Sequence, residues 1–218
     1  DKIPILQTGY GISAAAFGEA FPYNFLLSPT YWTVEAATVK FIADEEGGED
    51  ALKGKKIALV YIDVDYGRET VPLMKALSEK LGFELQLFPV EAPALEQSAM
   101  WTDIAERSKP DWIILRMWGQ STVVSIQEAA RVGYPMTRII GCPWSPTDQD
   151  IKLAGPEIAK GIRANYWVTS GTDIPIIQTI LTQVHDAGKG FGPRYEVGTQ
   201  LYNRGVFNTA IAVEAIRL

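Results

Sequence analysis

The sequence predicts an α/β fold: a mostly parallel sheet with helices on both faces, flanked at each end by pieces of another lobe. Three observations predict it. Apolar runs recur at Lys56–Ile62, Phe83–Val90, Asp111–Met117 and Arg138–Gly141, at intervals of roughly 25–30 residues, the spacing of βαβ units. The runs are nearly all apolar rather than alternating, as expected for strands buried on both faces. Between them lie stretches of helical periodicity.

The elements follow in chain order. Ile3–Gln7 reads as a short strand, followed by a loop and a second extended piece at Pro22–Leu27. A helix from about Thr30 to Glu46 starts just after Pro29. The repeating array then runs with helices at roughly Gly67–Leu81, Gln97–Arg107, Ser121–Val132 and Thr147–Leu153. A fifth apolar run, Gly161–Val168, closes it. Beyond it, Gly171-Thr172 predicts a turn, Asp173 a helix cap and Gly188 the helix stop. The glycine-rich segment "GKGFGPRYEVG" predicts a loop, and a last helix begins near Thr199. These boundaries divide the chain into a first-lobe segment (1–28), a second lobe (29–168) and a return to the first lobe (169–218). The opening residues read as the middle of a fold and the final helix carries no stop signal, so the chain is expected to be a piece of a longer one.

Composition narrows the function. At 218 residues, 47% hydrophobic and 21% charged, the chain is long enough for a substantial core and is of ordinary globular make-up. A net charge of −6 without a basic stripe argues against nucleic acid as a partner. No apolar run approaches the ~20 residues of a membrane-spanning helix. With Cys142 as the single cysteine, no disulfide within the chain is possible.

Catalytic motifs fit poorly. Gly9, Gly11 and Ala14 match G-x-G-x-x-A after a strand, with Glu35 further on. A dinucleotide fold needs a crossover of at least ~10 residues before the next strand, and the short stretch between Ala14 and Pro22 is interrupted by Gly18. The better reading is a tight turn facing a polar or anionic ligand. "DVDYG" lacks the glutamate of a calcium loop, because Met74 stands at the closing position. It also lacks the later aspartate of a phospho-receiver. Cys142 and Ser145, in "GCPWSP", form no nucleophile elbow, and His185 is the only histidine, so no metal site is expected.

Aromatic and small polar residues instead collect past the strand ends: Asp63–Tyr66, Trp118–Ser121, Cys142–Ser145 and Thr169-Ser170. Ligands of open α/β sheets bind outside the carboxyl ends of the strands, so Tyr66, Trp118 and Trp144 are read as binding residues. Trp101 and Trp112 are read as core. Arg116, inside an apolar strand, is either paired with a buried carboxylate or aimed at an anionic ligand.

Taken together, "IPILQTGYGIS", "FPYNFLLSPTYWTVEAATVKFI", "KKIALVYIDVDYGRE", "KPDWIILRMWGQSTVVSIQEAARVGY" and "GPEIAKGIRANYWV" resemble, in order, segments of the type I periplasmic substrate-binding proteins. The resemblance is to the group that includes leucine/isoleucine/valine-binding proteins. It implies two Rossmann-like lobes closing about a hinge on a small-molecule ligand, and docking on the permease of an ABC transporter. It implies a protein that is periplasmic or extracellular, with or without a lipid anchor, that is no enzyme and needs no cofactor. By position it implies ligand contacts at Tyr10, Gly11 and Ile12 from one lobe and at Tyr66 and Trp118 from the other. The family's acidic residue for an α-ammonium group would fall near Cys142–Trp144, where none stands. Asp65 or Asp63 is left to supply that charge, with Arg116 and Trp144 at the mouth. An amino acid, an amide and an aromatic or aliphatic carboxylate all stay open as ligands. So do two other functions, a sensing domain of the same fold and a nucleotide-dependent enzyme.

Overall fold

The structure, a computed structural model, describes residues 2–217. Five parallel strands form its main sheet in the order β4-β3-β5-β6-β7: β3 (Lys56–Ile62), β4 (Glu84–Val90), β5 (Trp112–Arg116), β6 (Ile139–Gly141) and β7 (Arg163–Ala164). A separate parallel pair, β1 (Ile5–Gln7) and β2 (Asn24–Leu26), stands apart from it. The fold class is therefore the one the apolar runs predict.

Strand alternation sends successive side chains to opposite faces, and two cores result. Ala58, Val60, Ile62, Ile113 and Leu115 pack on one face with Trp101 and Ile126. These last two come from α4 (Ser98–Asp103), which continues as a π turn to Ser108, and from α5 (Gln120–Arg131). Ile57, Leu59, Trp112 and Ile114 pack on the other face, with Ile42 of α1 (Tyr31–Glu46) and Met74 of α3 (Val71–Leu81). Trp101 and Trp112 are core, as expected. Thr30 caps α1, its hydroxyl accepting from Thr33 N at 3.1 Å.

Three details differ from expectation. The single helix predicted over Gly67–Leu81 is two, α2 (Asp65–Arg68) and α3, because Pro72 has no N–H to donate to Arg68 and its ring would crowd that carbonyl. The last strand is only Arg163–Ala164. It pairs with the three-residue β6 and runs out of ladder there. Asp173 does not cap α7 (Pro175–Ile180): Ile174 holds the cap position without a side-chain bond, and Pro175 supplies a preset first-turn φ. The helix α6 (Asp148–Ala154) opens on a capping box between Thr147 and Asp150. The last helix, α8, spans Gln200–Arg217.

Candidate functional site

The carboxyl ends of β3, β5 and β6 point the same way because the strands are parallel. Each loop there is shaped by its sequence. After β3, Gly67 lets α2 press against the strand end: a Cβ on it would overlap the carbonyl oxygen of Ile62. Tyr66, just before Gly67, lies beside the carboxyl end of β5, its carbonyl accepting from Arg116 Nε. After β5, the Trp118 carbonyl accepts from Ser121 Oγ at 2.8 Å, which holds Trp118 at the mouth of α5 with 43% of its surface exposed. After β6, Cys142 N donates to Leu115 O at 3.0 Å and the chain turns at Pro143 to present Trp144.

The opposite wall comes from the turn after β1. Gly11 abuts the crossover into α1, where a Cβ would overlap Pro29 O, and its own carbonyl accepts from Tyr31 N at 2.6 Å. Gly11 is thereby buried and acts on the wall's shape, while its neighbours Tyr10 and Ile12 face the cavity.

These walls enclose a cavity of ≈ 750 Å³ lined by Tyr10, Ile12, Tyr31, Asp65, Tyr66, Glu69, Trp118 and Trp144. Its rings are mutually supported. Tyr66 meets Trp118 edge-on with centroids 5.2 Å apart, and meets Tyr31 in the same manner at 5.3 Å. Tyr10 and Trp144 lie 5.7 Å apart and only 33° from parallel. The charged side chains of the lining, Asp65 and Glu69, are both carboxylates.

Arg116 lies beneath the cavity rather than in it. Period-two alternation puts it on the α1 face of β5, fully buried, with Nη1 3.6 Å from Glu35 Oε2. Its guanidinium stacks between the rings of Tyr31 and Tyr66, at 4.6 and 4.4 Å from their centroids, and Nε donates to Tyr66 O at 3.1 Å. Of the two partners left open for Arg116, the geometry supplies the buried carboxylate. Burial pushes the Glu35 carboxyl above its ordinary value, although Arg116 and a bond from the Thr70 hydroxyl pull it back. Tyr66 Oη and Cys142 Sγ share a hydrogen bond of 2.7 Å, and burial raises the pKa of both groups. A thiol raised in this way is no thiolate nucleophile at neutral pH.

Glu69 ties the two walls together. Its Oε1 accepts from Ser13 N at 2.9 Å and its carbonyl from Trp32 Nε1 at 2.9 Å, while Trp32 N donates to Ser13 Oγ. Glu69 and Tyr31 escaped the sequence reading. Each had a signal: Glu69 sits one helical turn from Asp65, on the same side, and Tyr31 opens α1 directly after the crossover. Asp63 faces away from this role, being paired with Arg68 Nε. Among the described residues no group of three or more His, Cys, Asp or Glu is placed to hold a metal ion. Among them, too, no helix is long and apolar enough to cross a membrane.

A parallel sheet with an aromatic-walled cavity at its strand ends, the neighbouring thiol raised in pKa and the arginine committed to the core, defines an α/β protein built around a cleft. More narrowly, the chain belongs to the periplasmic binding protein family, whose model matches residues 1–218. Solved structures agree. It is 44% identical to one described as an ABC transporter permease from the Pseudomonas fluorescens group, with a TM-score of 0.92 over 99% of this chain and 52% of that one. A branched-chain amino acid ABC transporter from Thermus thermophilus with bound valine is 24% identical, with a TM-score of 0.82 over 99% of this chain and 54% of that one. A solute-binding protein from R. palustris in complex with benzoate is 20% identical, with a TM-score of 0.71 over 94% of this chain and 52% of that one. No curated protein matches. The chain thus spans about half the length of the solved proteins it resembles. Its fold is the type I periplasmic binding protein fold, and the family it belongs to is one of substrate-binding proteins.

Proposed function

We propose that this chain forms most of the ligand cleft of an extracytoplasmic solute-binding component of an ABC importer. In this reading the first-lobe turn (Tyr10–Ile12) and the second-lobe strand ends (Asp65, Tyr66, Trp118, Trp144) close about a hinge on one small molecule. The loaded form then docks on the membrane permease. The observation that carries the reading is the aromatic-walled cavity of ≈ 750 Å³, a size suited to a small organic ligand.

The lining orders the candidate ligands. Rings in near-parallel and edge-on arrangements offer faces to a flat or branched apolar body. Asp65 and Glu69 offer acceptors to an ammonium or amide N–H, which favours an amino-acid-like or amide ligand. An aromatic carboxylate, such as the benzoate held by the R. palustris neighbour, would need its donors from Tyr66, Trp144 or main-chain N–H groups of the 10–12 turn.

Thermal shift on the full two-lobed protein tests this, with L-valine, L-phenylalanine, phenylacetamide, benzoate, NAD and ATP as probes. A ligand at ~100 times its Kd stabilises by about 2.7 kcal/mol, which is readily seen. Stabilisation by an amino acid or amide at sub-millimolar concentration is the expected result. Stabilisation by NAD or ATP alone would replace the reading with a nucleotide site.

A further inference from the structure

The buried stripe of α8 is polar. Gln200, Asn203, Arg204 and Asn208 are the buried residues of this 18-residue helix. Helices that pack on a protein interior normally bury an apolar stripe, so a polar one needs a reason. Three of the four side chains donate to main-chain carbonyls of segments far apart in sequence. Asn203 Nδ2 reaches Thr169 O and Gly171 O, each at 3.0 Å. Arg204 Nη2 reaches Pro143 O at 2.7 Å. Asn208 Nδ2 reaches Thr8 O at 3.0 Å. Thr8 and Pro143 each stand close before an aromatic of the cleft, Tyr10 and Trp144.

Arg204 does more than hold a carbonyl. Its guanidinium lies 4.5 Å from the centroid of the Trp144 ring and 3.9 Å from that of Trp167. Trp144 is therefore fixed from several sides. Arg204 covers its ring, Tyr10 faces it at 5.7 Å, and Gly9 approaches so closely that an added Cβ would come within 3.2 Å of the ring. Among the described residues no carboxylate forms an ion pair with Arg204, which is 3% exposed, and burial lowers its pKa to about 10. It stays cationic at neutral pH, held by ring faces and a carbonyl in place of a carboxylate.

We propose that Arg204 is a positioning residue for the ligand cleft: from α8 it clamps Trp144 by ring face and preceding carbonyl, and so sets the slot between Trp144 and Tyr10. It does not touch the ligand. The planar fork is what the role requires, because a lysine ammonium keeps the charge but cannot cover a ring and bind the carbonyl together. The inference rests on the cleft being the ligand site, as proposed above.

The test uses the full two-lobed protein labelled with 5-fluorotryptophan, with the Trp144 fluorine resonance assigned by Trp144→Phe. In Arg204→Lys and Arg204→Met the Trp144 resonance is expected to shift and broaden, while those of Trp101 and Trp112 stay in place. Of L-phenylalanine and benzoate, the probe that binds wild type is expected to lose affinity roughly five- to thirty-fold in both variants, the range of a lost cation–π clamp. A Trp144 resonance unchanged in both variants overturns the clamp, and so does full rescue by lysine. A Trp144 resonance that moves while probe affinity holds shows the clamp without its role in binding, and overturns that part. If neither probe binds wild type, the affinity comparison uses L-valine or phenylacetamide instead; if none of the four binds, the ligand reading fails by itself, and the fluorine spectrum still decides the clamp.

Discussion

Replacing Arg116 by methionine should unmask the charge beneath the cleft. The substitution keeps much of the apolar stem but leaves Glu35, 3.6 Å from the lost guanidinium and fully buried, without a counter-charge. Removing one partner of a buried pair costs about 3–5 kcal/mol, and that is the loss expected at pH 7.5. The sign of the pH dependence follows from Glu35. Its folded-state pKa is already raised by burial and held down in part by Arg116, so losing Arg116 raises it further. Between the unfolded and folded values the native state holds a proton that the unfolded state has released, so stability falls as pH rises, by up to about 1.4 kcal/mol per pH unit. The deficit relative to wild type should therefore be smaller at pH 5 than at pH 7.5. Adding Glu35→Gln removes the stranded charge and should restore about 1–3 kcal/mol at pH 7.5. Urea denaturation at both pH values compares wild type with the two variants. A deficit equal at the two pH values, or a double variant no more stable than Arg116→Met, would refute the account of Arg116 as a core ion-pair partner.

Three further outcomes are expected. Trp118→Ala removes a cleft wall that is 43% exposed, so ligand affinity should fall by about 1–3 kcal/mol with little change in melting temperature. A large loss of melting temperature with affinity intact would return Trp118 to the core. Glu46, which accepts from Trp112 Nε1 at 2.9 Å and pairs with Lys55 at 2.8 Å and with Arg138, has its pKa lowered to about 2. Its stabilisation is present above the unfolded value and lost as pH falls through the folded one, so Glu46→Gln should cost on the order of 2 kcal/mol at neutral pH and almost nothing near pH 2, by denaturant midpoint. Gly67→Ala should destabilise by more than about 2 kcal/mol, because the new methyl would overlap Ile62 O; unchanged stability would show that α2 can lift from the strand end freely.

The sheet was legible because its strands are buried on both faces, so apolar run and strand coincide at Lys56–Ile62 almost residue for residue. The separate pair β1 and β2 was legible as two short extended segments outside the repeat. The break at Pro72 was written in the sequence, yet helical periodicity on either side masked it. Cleft residues carried on strand ends, Tyr66, Trp118 and Trp144, could be read because parallel strands fix where their ends go. The partner of Arg116 could not, since Glu35 lies on another element and only α1 packing on the sheet brings it there. The polar stripe of α8 stayed hidden for the same reason: its acceptors are main-chain carbonyls, which no residue type announces.

Tyr31 is at once the first residue of α1, the donor to the Gly11 carbonyl and a wall of the cavity. If the cavity takes the ligand proposed above, a molecule that pushes on this ring would also load the crossover from β2 into α1, whose main chain is tied to the Gly11 turn. Under that reading, occupancy and posture would be a single mechanical variable, read along the axis of a 16-residue rod.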